Sequence, residues 1–347
     1  MAPPQRSLAD RLGVAMGAAP DLPALAQAVY RTVARHVPFD FACFAATDPA
    51  TGLVTWASKT RDLGVGDEEW AALEYGPPDV NSFAEIATRR PPVGVLSLDT
   101  DGRPELCRRH REFLAPRFGF TDELRVVFLG RGAPWAAMAL SRGRDEPPFA
   151  RAEAEALGAV GELVAEAVQR RLFALGGPPD GPGADAAGPA VLIVDGGNRV
   201  THVTPAARAA IDELGGWDHG ALPANLLAVV AATRTGGEHT ETQAQAGSGR
   251  WLSLRAAALA GPPDSSDVVV TVEPTSRAAL SRLALAAHGL TAREEDVALL
   301  VLQGASTQAI ASTLHLSPHT VQDHLKVVFT KLGVSSRREM TARLVLA

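Results

Sequence analysis

Ser317-Pro318-His319-Thr320-Val321-Gln322-Asp323-His324-Leu325-Lys326 reads as the opening of a capped, two-faced helix. Ser317 has the side chain of an N-cap, and Pro318 follows at the first helical position, where a missing N–H costs nothing. Val321, Leu325, Val328 and Leu332 recur at helical spacing, which marks one buried side. Gly333 closes the run, because glycine enters the left-handed conformation without a Cβ clash. Rotation by about 100° per residue turns His319, Gln322, Asp323, Lys326 and Thr330 to the opposite side.

The same punctuation extends in both directions. Thr291-Ala292-Arg293-Glu294 is a capping box, with Val297, Leu300 and Val301 behind it on one stripe and Gly304 as the stop. Ser306 caps a second helix carrying Ile310 and Leu314 inward, and His315-Leu316-Ser317 make a short turn. Ser336-Arg337-Arg338-Glu339 is a second capping box, opening a fourth helix with Met340 and Leu344 inward. Two helices joined by a three-residue turn, the second with a polar outer face, have the geometry of a major-groove reader. On that face Gln322 suits adenine N6/N7, and Lys326 suits guanine or a phosphate. Asp323 is repelled by phosphates but can accept from cytosine N4. Thr320, His324, Lys331, Arg337 and Arg338 fall at the flanks, where phosphates would lie.

The stretches LTAREEDVALLVLQG, STQAIASTLHLSPHTVQDHLK and KLGVSSRRE resemble the LuxR-type (GerE, or FixJ/NarL-type) DNA-binding domain of bacterial regulators. The resemblance implies a tetrahelical module with the third helix, about 318–332, in the groove. It also implies a fourth helix in a dimer contact, which puts Met340 and Leu344 there. Gln322 and Asp323 depart from the family, where lysine and an apolar residue are common, so the target sequence does not carry over. From Lys326 onward Lys326, Lys331, Arg337, Arg338 and Arg343 stand against Glu339. Roughly four neutralised phosphates per protomer give a salt slope of about −3.5. One such module buries only about 600–1,000 Å², so a homodimer on two half-sites is expected.

The whole chain sets bounds. At 347 residues it should hold two or three domains, and a net charge of −6 excludes blanket coating of nucleic acid. Two cysteines, Cys43 and Cys107, make no disulfide framework, the start lacks an apolar secretory core, and no apolar run reaches 18 residues. A cytoplasmic protein without a membrane span is expected. Neither a G-x-S-x-G elbow nor H-E-x-x-H occurs. Cys107 and His110 lie one turn apart but flank Arg108 and Arg109, a solvated basic face rather than a metal site. No catalytic residue, metal or cofactor is assigned, and an enzyme is not expected.

Upstream, Gly, Pro and Asp crowd residues 174–189, a linker. Residues 1–173 order as helix, antiparallel strands, irregular middle, hairpin around Gly130-Arg131-Gly132, then a long helix from about 151 to 173. This order resembles a GAF sensory domain, and WAAMALSRGRDEPPFARAEAEAL is its most similar part. Phe39, Phe41, Trp56 and Trp135 are candidates to line an effector pocket there. Residues 190–274 read as a strand pair, helices and a three-strand meander, which resembles a PAS-type domain. A phospho-receiver is rejected, because Gly196 follows Asp195 and no lysine lies between Lys59 and Lys326. A connector helix, 275–287, leads into the DNA module, 288–347. The expected fold is therefore multidomain α+β: GAF-like and PAS-like sensory units and an all-α helix-turn-helix domain. The expected function is a sequence-specific, dimeric transcription regulator of bacterial type, biased by a small-molecule effector, with RNA polymerase as a further candidate partner. The alternative is a sensor or adaptor whose terminal bundle engages another protein and not DNA.

Overall fold

Among the described residues, ten strands fall into two sheets of five, both antiparallel throughout. A computed structural model describes residues 7–174, 188–236, 239–261 and 266–345. Most of the expected linker, residues 175–187, lies outside the described residues. The first sheet contains β1 (Phe41–Thr47), β2 (Val54–Lys59), β3 (Val93–Val95), β4 (Asp122–Gly130) and β5 (Ala133–Arg142), in the order β2-β1-β5-β4-β3. The second contains β6 (Ala190–Val194), β7 (Val200–Val203), β8 (His239–Gln245), β9 (Trp251–Ala258) and β10 (Val268–Pro274), ordered β7-β6-β10-β9-β8. Counted from its own first strand, each sheet follows the same order, 2-1-5-4-3.

The helices are α1 (Leu8–Gly17), α2 (Leu22–Val33), α3 (Glu68–Glu74), α4 (Phe83–Ile86), α5 (Leu96–Asp99), α6 (Ala115–Phe118), α7 (Arg151–Gly158) and α8 (Gly161–Ala174) in the first unit. The second unit holds α9 (Pro205–Glu213) and α10 (Ala224–Gly236). Beyond them come α11 (Arg277–Ala287), α12 (Ala292–Leu302), α13 (Thr307–Leu314), α14 (Pro318–Leu332) and α15 (Arg337–Val345). The single long helix expected over 151–173 is two helices, α7 and α8, with the break between Gly158 and Gly161. Glycine is a poor helix interior residue, and two of them three positions apart mark the interruption.

Strand alternation decides what the first sheet presents on each side. Ala42, Phe44 and Ala46 of β1 join Met138 and Leu140 of β5 in a core with α1, α2 and α8. Phe41, Cys43 and Ala45 point the other way. Trp56 pairs with Ala46 and so shares the core face. Trp135 reaches that face through a bulge: Phe128 pairs with Ala136 and Leu129 with Pro134, leaving Trp135 as the extra residue. The β4–β5 hairpin turns on two residues of positive φ, Arg131 and Gly132, as a two-residue loop between twisted strands requires.

The two sheet units share a core. Ala45, Leu53, Val54 and Ala71 of the first unit cluster with Leu226, Leu227, Val229 and Val230 of α10 and with the second sheet. A helix apolar on all sides belongs in an interior, and α10 is buried along nearly its whole length. Polar bonds register the contact. Asn225 Nδ2 donates to Thr55 O at 3.1 Å, and Thr242 Oγ1 donates to the buried Asp48 carboxylate at 2.8 Å.

Candidate nucleic-acid interface and effector cavity

The terminal module forms as its caps dictate. Thr291 and Glu294 make the reciprocal capping box, Ser306 caps α13, and Ser317 accepts from Thr320 N at 3.0 Å to start α14. His315 holds the turn in the left-handed region at φ 53°, and Gly333 ends α14 at φ 63°. At the fourth helix the Glu339 carboxylate reaches back to Ser335, one residue before the Ser336 cap. Val297, Ile310, Val321, Leu325, Val328 and Leu332 fill one core.

That core leaves one side of α14 in solvent. His319, Gln322, Asp323, Lys326 and Thr330 are all exposed. The Asp323 carboxylate sits between Lys326 Nζ at 3.1 Å and His319 Nε2 at 3.7 Å. The Lys326 hydrogen bond, with the His319 charge behind it, holds the Asp323 carboxyl below its ordinary range.

The flanking residues divide. Arg338 is exposed, and Arg337 donates to Ala305 O and Thr307 Oγ1, both neutral acceptors. Thr320 and His324 are half-buried, the Thr320 hydroxyl engaged with Ser317. Lys331 departs from the expected phosphate contact, because its ammonium pairs with Glu294 at 2.5 Å and donates to Gly289 O at 3.2 Å. Burial alone would raise Glu294, but Lys331 outweighs it and keeps the carboxyl low. Taking Lys331 out of the roughly four phosphate-neutralising cations lowers the expected salt slope to about −2.7 per protomer.

Met340 and Leu344 also need correction. Both are buried in the module's own core, against α11 and α12, and neither is presented to a second subunit. The apolar stripe that suggested a dimer contact is the stripe that closes the module.

Of the four aromatic pocket candidates, Phe41 lines a cavity in the first unit. Trp56 and Trp135 pack into the α1/α2/α8 core for the alternation and bulge reasons given above, and Phe39, which precedes β1, packs against it as well. The cavity, about 60 Å³, lies on the opposite face, where the floor is made of small residues: Cys43, Ala45, Ala57, Ala137, Ala139 and Ser141. Phe41, Trp70, Phe113 and Leu63 wall it, and Ala224 of α10 contributes from the second unit. Lys59 and Asp67, joined at 2.8 Å, line it as well, and Lys59 also reaches Asp218 of the second unit at 3.3 Å. Burial pushes the Cys43 thiol up to about 12, so it is a neutral wall group at physiological pH.

Sequence reasoning missed the charged cluster behind this cavity. Arg109 Nη2 lies 2.6 Å from Glu123 Oε2, Arg125 Nη2 lies 2.7 Å from Glu74 Oε2, and the Arg125 guanidinium stacks 3.6 Å from the Phe83 ring centroid. Burial would raise Glu123, but Arg109 and then Arg125 hold it low. Cys107 donates to Asp79 at 3.3 Å at the edge of this cluster, and Arg109, read as solvated, is fully buried. The available signal was Arg125 inside the apolar run LRVVF.

The terminal module and the first sheet unit share a hydrogen-bonded carbonyl. Arg131, at the tip of the β4–β5 hairpin, donates to Gly289 O at 2.7 Å, the same oxygen that Lys331 reaches from the end of α14. Helix α11 belongs to two cores at once: Leu283 packs into the first unit, Ala284 and Leu285 into the terminal module.

A four-helix module with a short turn before a helix that is buried on one side and polar on the other defines a helix-turn-helix protein. A family model described as bacterial regulatory proteins, luxR family, matches residues 288–344. The spore germination protein GerE of Bacillus subtilis is 39% identical over 56 residues, which are 16% of this chain and 76% of that protein. The chain belongs to the luxR family of bacterial regulatory proteins. The monoamine regulon transcriptional regulator of Klebsiella aerogenes is 41% identical over 54 residues, 16% of this chain and 24% of that one. A Mycobacterium bovis HTH-type transcriptional regulator is 40% identical over 76 residues, 22% of this chain, and the chain spans only 9% of that relative's length. Among solved structures, the Vibrio cholerae VqmA–ligand–DNA complex is 18% identical, covering 46% of this chain and 82% of that one, with a TM-score of 0.23.

Proposed function

We propose that the protein is a sequence-specific DNA-binding transcription regulator with α14 as its recognition helix. The observation that carries this reading is the solvent-exposed row His319, Gln322, Asp323, Lys326 and Thr330 above a completed core. The contacts these side chains make, Asp323 with Lys326 and Thr330 with the Lys326 carbonyl, lie along the helix itself and leave the face open to solvent. Gln322 and Lys326 read bases, while Thr320, His324, Arg337 and Arg338 contact phosphates. Because the interface of one module is small, two copies bind two half-sites, through a surface other than Met340 and Leu344. Selection from random duplexes tests the reading. Enrichment of a motif that loses preference at one base pair in Gln322→Ala supports it, and no enrichment at low salt refutes it.

The upstream units act as sensors, a GAF-like unit over 1–173 and a PAS-like unit over 190–274. The common strand order of the two sheets and the alanine-floored cavity support this. A small effector in that cavity contacts β4 or β5 at one end of the hairpin whose other end carries Arg131. Effector binding shifts the equilibrium only if it prefers one arrangement of that hairpin by about a kcal/mol or more. The connector 275–287, held by two cores, transmits the preference. No described helix is long and apolar enough to cross a membrane, and a regulator of this kind works in the cytoplasm.

A further inference from the structure

We infer that Asp323 and Lys326 read one C·G base pair as a single unit, Asp323 accepting from cytosine N4 and Lys326 donating to the guanine. The inference rests on the DNA-binding reading above and concerns which base pair is chosen. Three positions apart on α14, the two side chains share the exposed face, and their polar atoms lie 3.1 Å apart. An acceptor and a donor therefore stand side by side at hydrogen-bond spacing. The major-groove edge of a C·G pair offers the complement at the same spacing, since guanine O6 and cytosine N4 are themselves hydrogen-bonded partners.

The other base pairs fit worse. Thymine O4 and guanine O6 and N7 are acceptors, and a carboxylate is repelled by each. Adenine N6 is a donor, but with Lys326 over thymine O4 the acceptor on its other side, adenine N7, faces the second carboxylate oxygen uncompensated. Cytosine N4 has an acceptor on one side only, guanine O6, and Lys326 compensates it. Lys326 and His319 keep Asp323 ionised, so its role as acceptor does not change with pH in the neutral range. The cost is general affinity, because a carboxylate on the groove face opposes every phosphate nearby. On these grounds Asp323 selects mainly by excluding sequences.

The test compares full-length wild type, Asp323→Ala, Asp323→Asn and Lys326→Ala in selection from random duplexes, with affinity for one unrelated duplex measured alongside. The wild type should enrich a motif containing one C·G pair per half-site that is lost in Asp323→Ala while the remaining positions persist. Discrimination at that pair should fall by about 5- to 150-fold, and affinity for the unrelated duplex should rise. Asp323→Asn should move the preference toward adenine, which an amide holds at N6 and N7. An unchanged motif in Asp323→Ala overturns the inference, as does a wild-type preference for A·T at that position. If guanine persists in Asp323→Ala and disappears in Lys326→Ala, Asp323 only positions the lysine and the joint reading is wrong. Wild type that enriches no sequence removes the DNA reading itself, and this inference with it.

Discussion

Gly289→Ala should loosen the terminal module from the first sheet unit, and Arg131→Ala should partly mask that effect. Gly289 sits at φ 63°, a conformation that costs alanine about 1–2 kcal/mol. The added Cβ would also fall 1.7 Å from Arg131 Cδ, so the guanidinium must leave and its bond to Gly289 O is lost. That bond is worth about 0.5–1.5 kcal/mol, at the low end because the guanidinium is exposed. In the wild-type background the substitution therefore costs about 2 kcal/mol, roughly a 30-fold change in the opening equilibrium. In an Arg131→Ala background no bond remains to break, and the same step costs only the backbone strain, about 1.5 kcal/mol, roughly 13-fold. Limited trypsin cleavage after Arg282, exposed in α11 but helical, reports the opening, provided reclosing outpaces cutting. Equal effects of Gly289→Ala in the two backgrounds would refute the contact between the hairpin tip and this carbonyl.

Arg338→Ala should weaken binding to all duplexes and reduce the salt slope by about 0.9, read from fluorescence titrations between 50 and 200 mM salt. Lys331→Ala should leave the slope nearly unchanged, since Glu294 already neutralises that ammonium. The Glu294 carboxyl is held below its ordinary value in the folded chain, so its stabilisation is complete above the unfolded carboxylate pKa of about 4.3 and fades as pH falls through the folded one. Melting of wild type should therefore drop toward Glu294→Gln as pH is lowered below about 4, with the two separated at pH 7. Ala137→Leu should fill the cavity and abolish any effector mass seen by native mass spectrometry, at a stability cost of no more than about 1–3 kcal/mol. Retention of a bound mass by that variant would place the effector elsewhere.

The terminal module was almost wholly legible because its information is local. Each cap, stripe and stop is read within a few residues, and Ser317, His315 and Gly333 behave as their types require. The sheets were legible as strands but not as faces. Which side Trp135 occupies depends on a bulge opposite Leu129, and no periodicity marks one extra residue in a hairpin. Lys331 and Arg109 were misread for a different reason. A basic residue among polar neighbours looks solvated in sequence, yet Glu294 is 37 positions from Lys331 and Glu123 is 14 from Arg109. Long-range partners of that kind, like the packing of α11 into two cores, leave no local trace.

Helix α10 has a practical corollary for dissecting this chain. Cutting within 174–189, where composition invites it, would strip the first sheet unit from Leu226, Val229 and their neighbours and present an oily face to water. Halves made that way should precipitate or self-associate when expressed apart and regain solubility when co-expressed. The smallest soluble pieces are then expected to be the paired sheets together, and the DNA module taken from about Arg277 onward with its own connector helix attached.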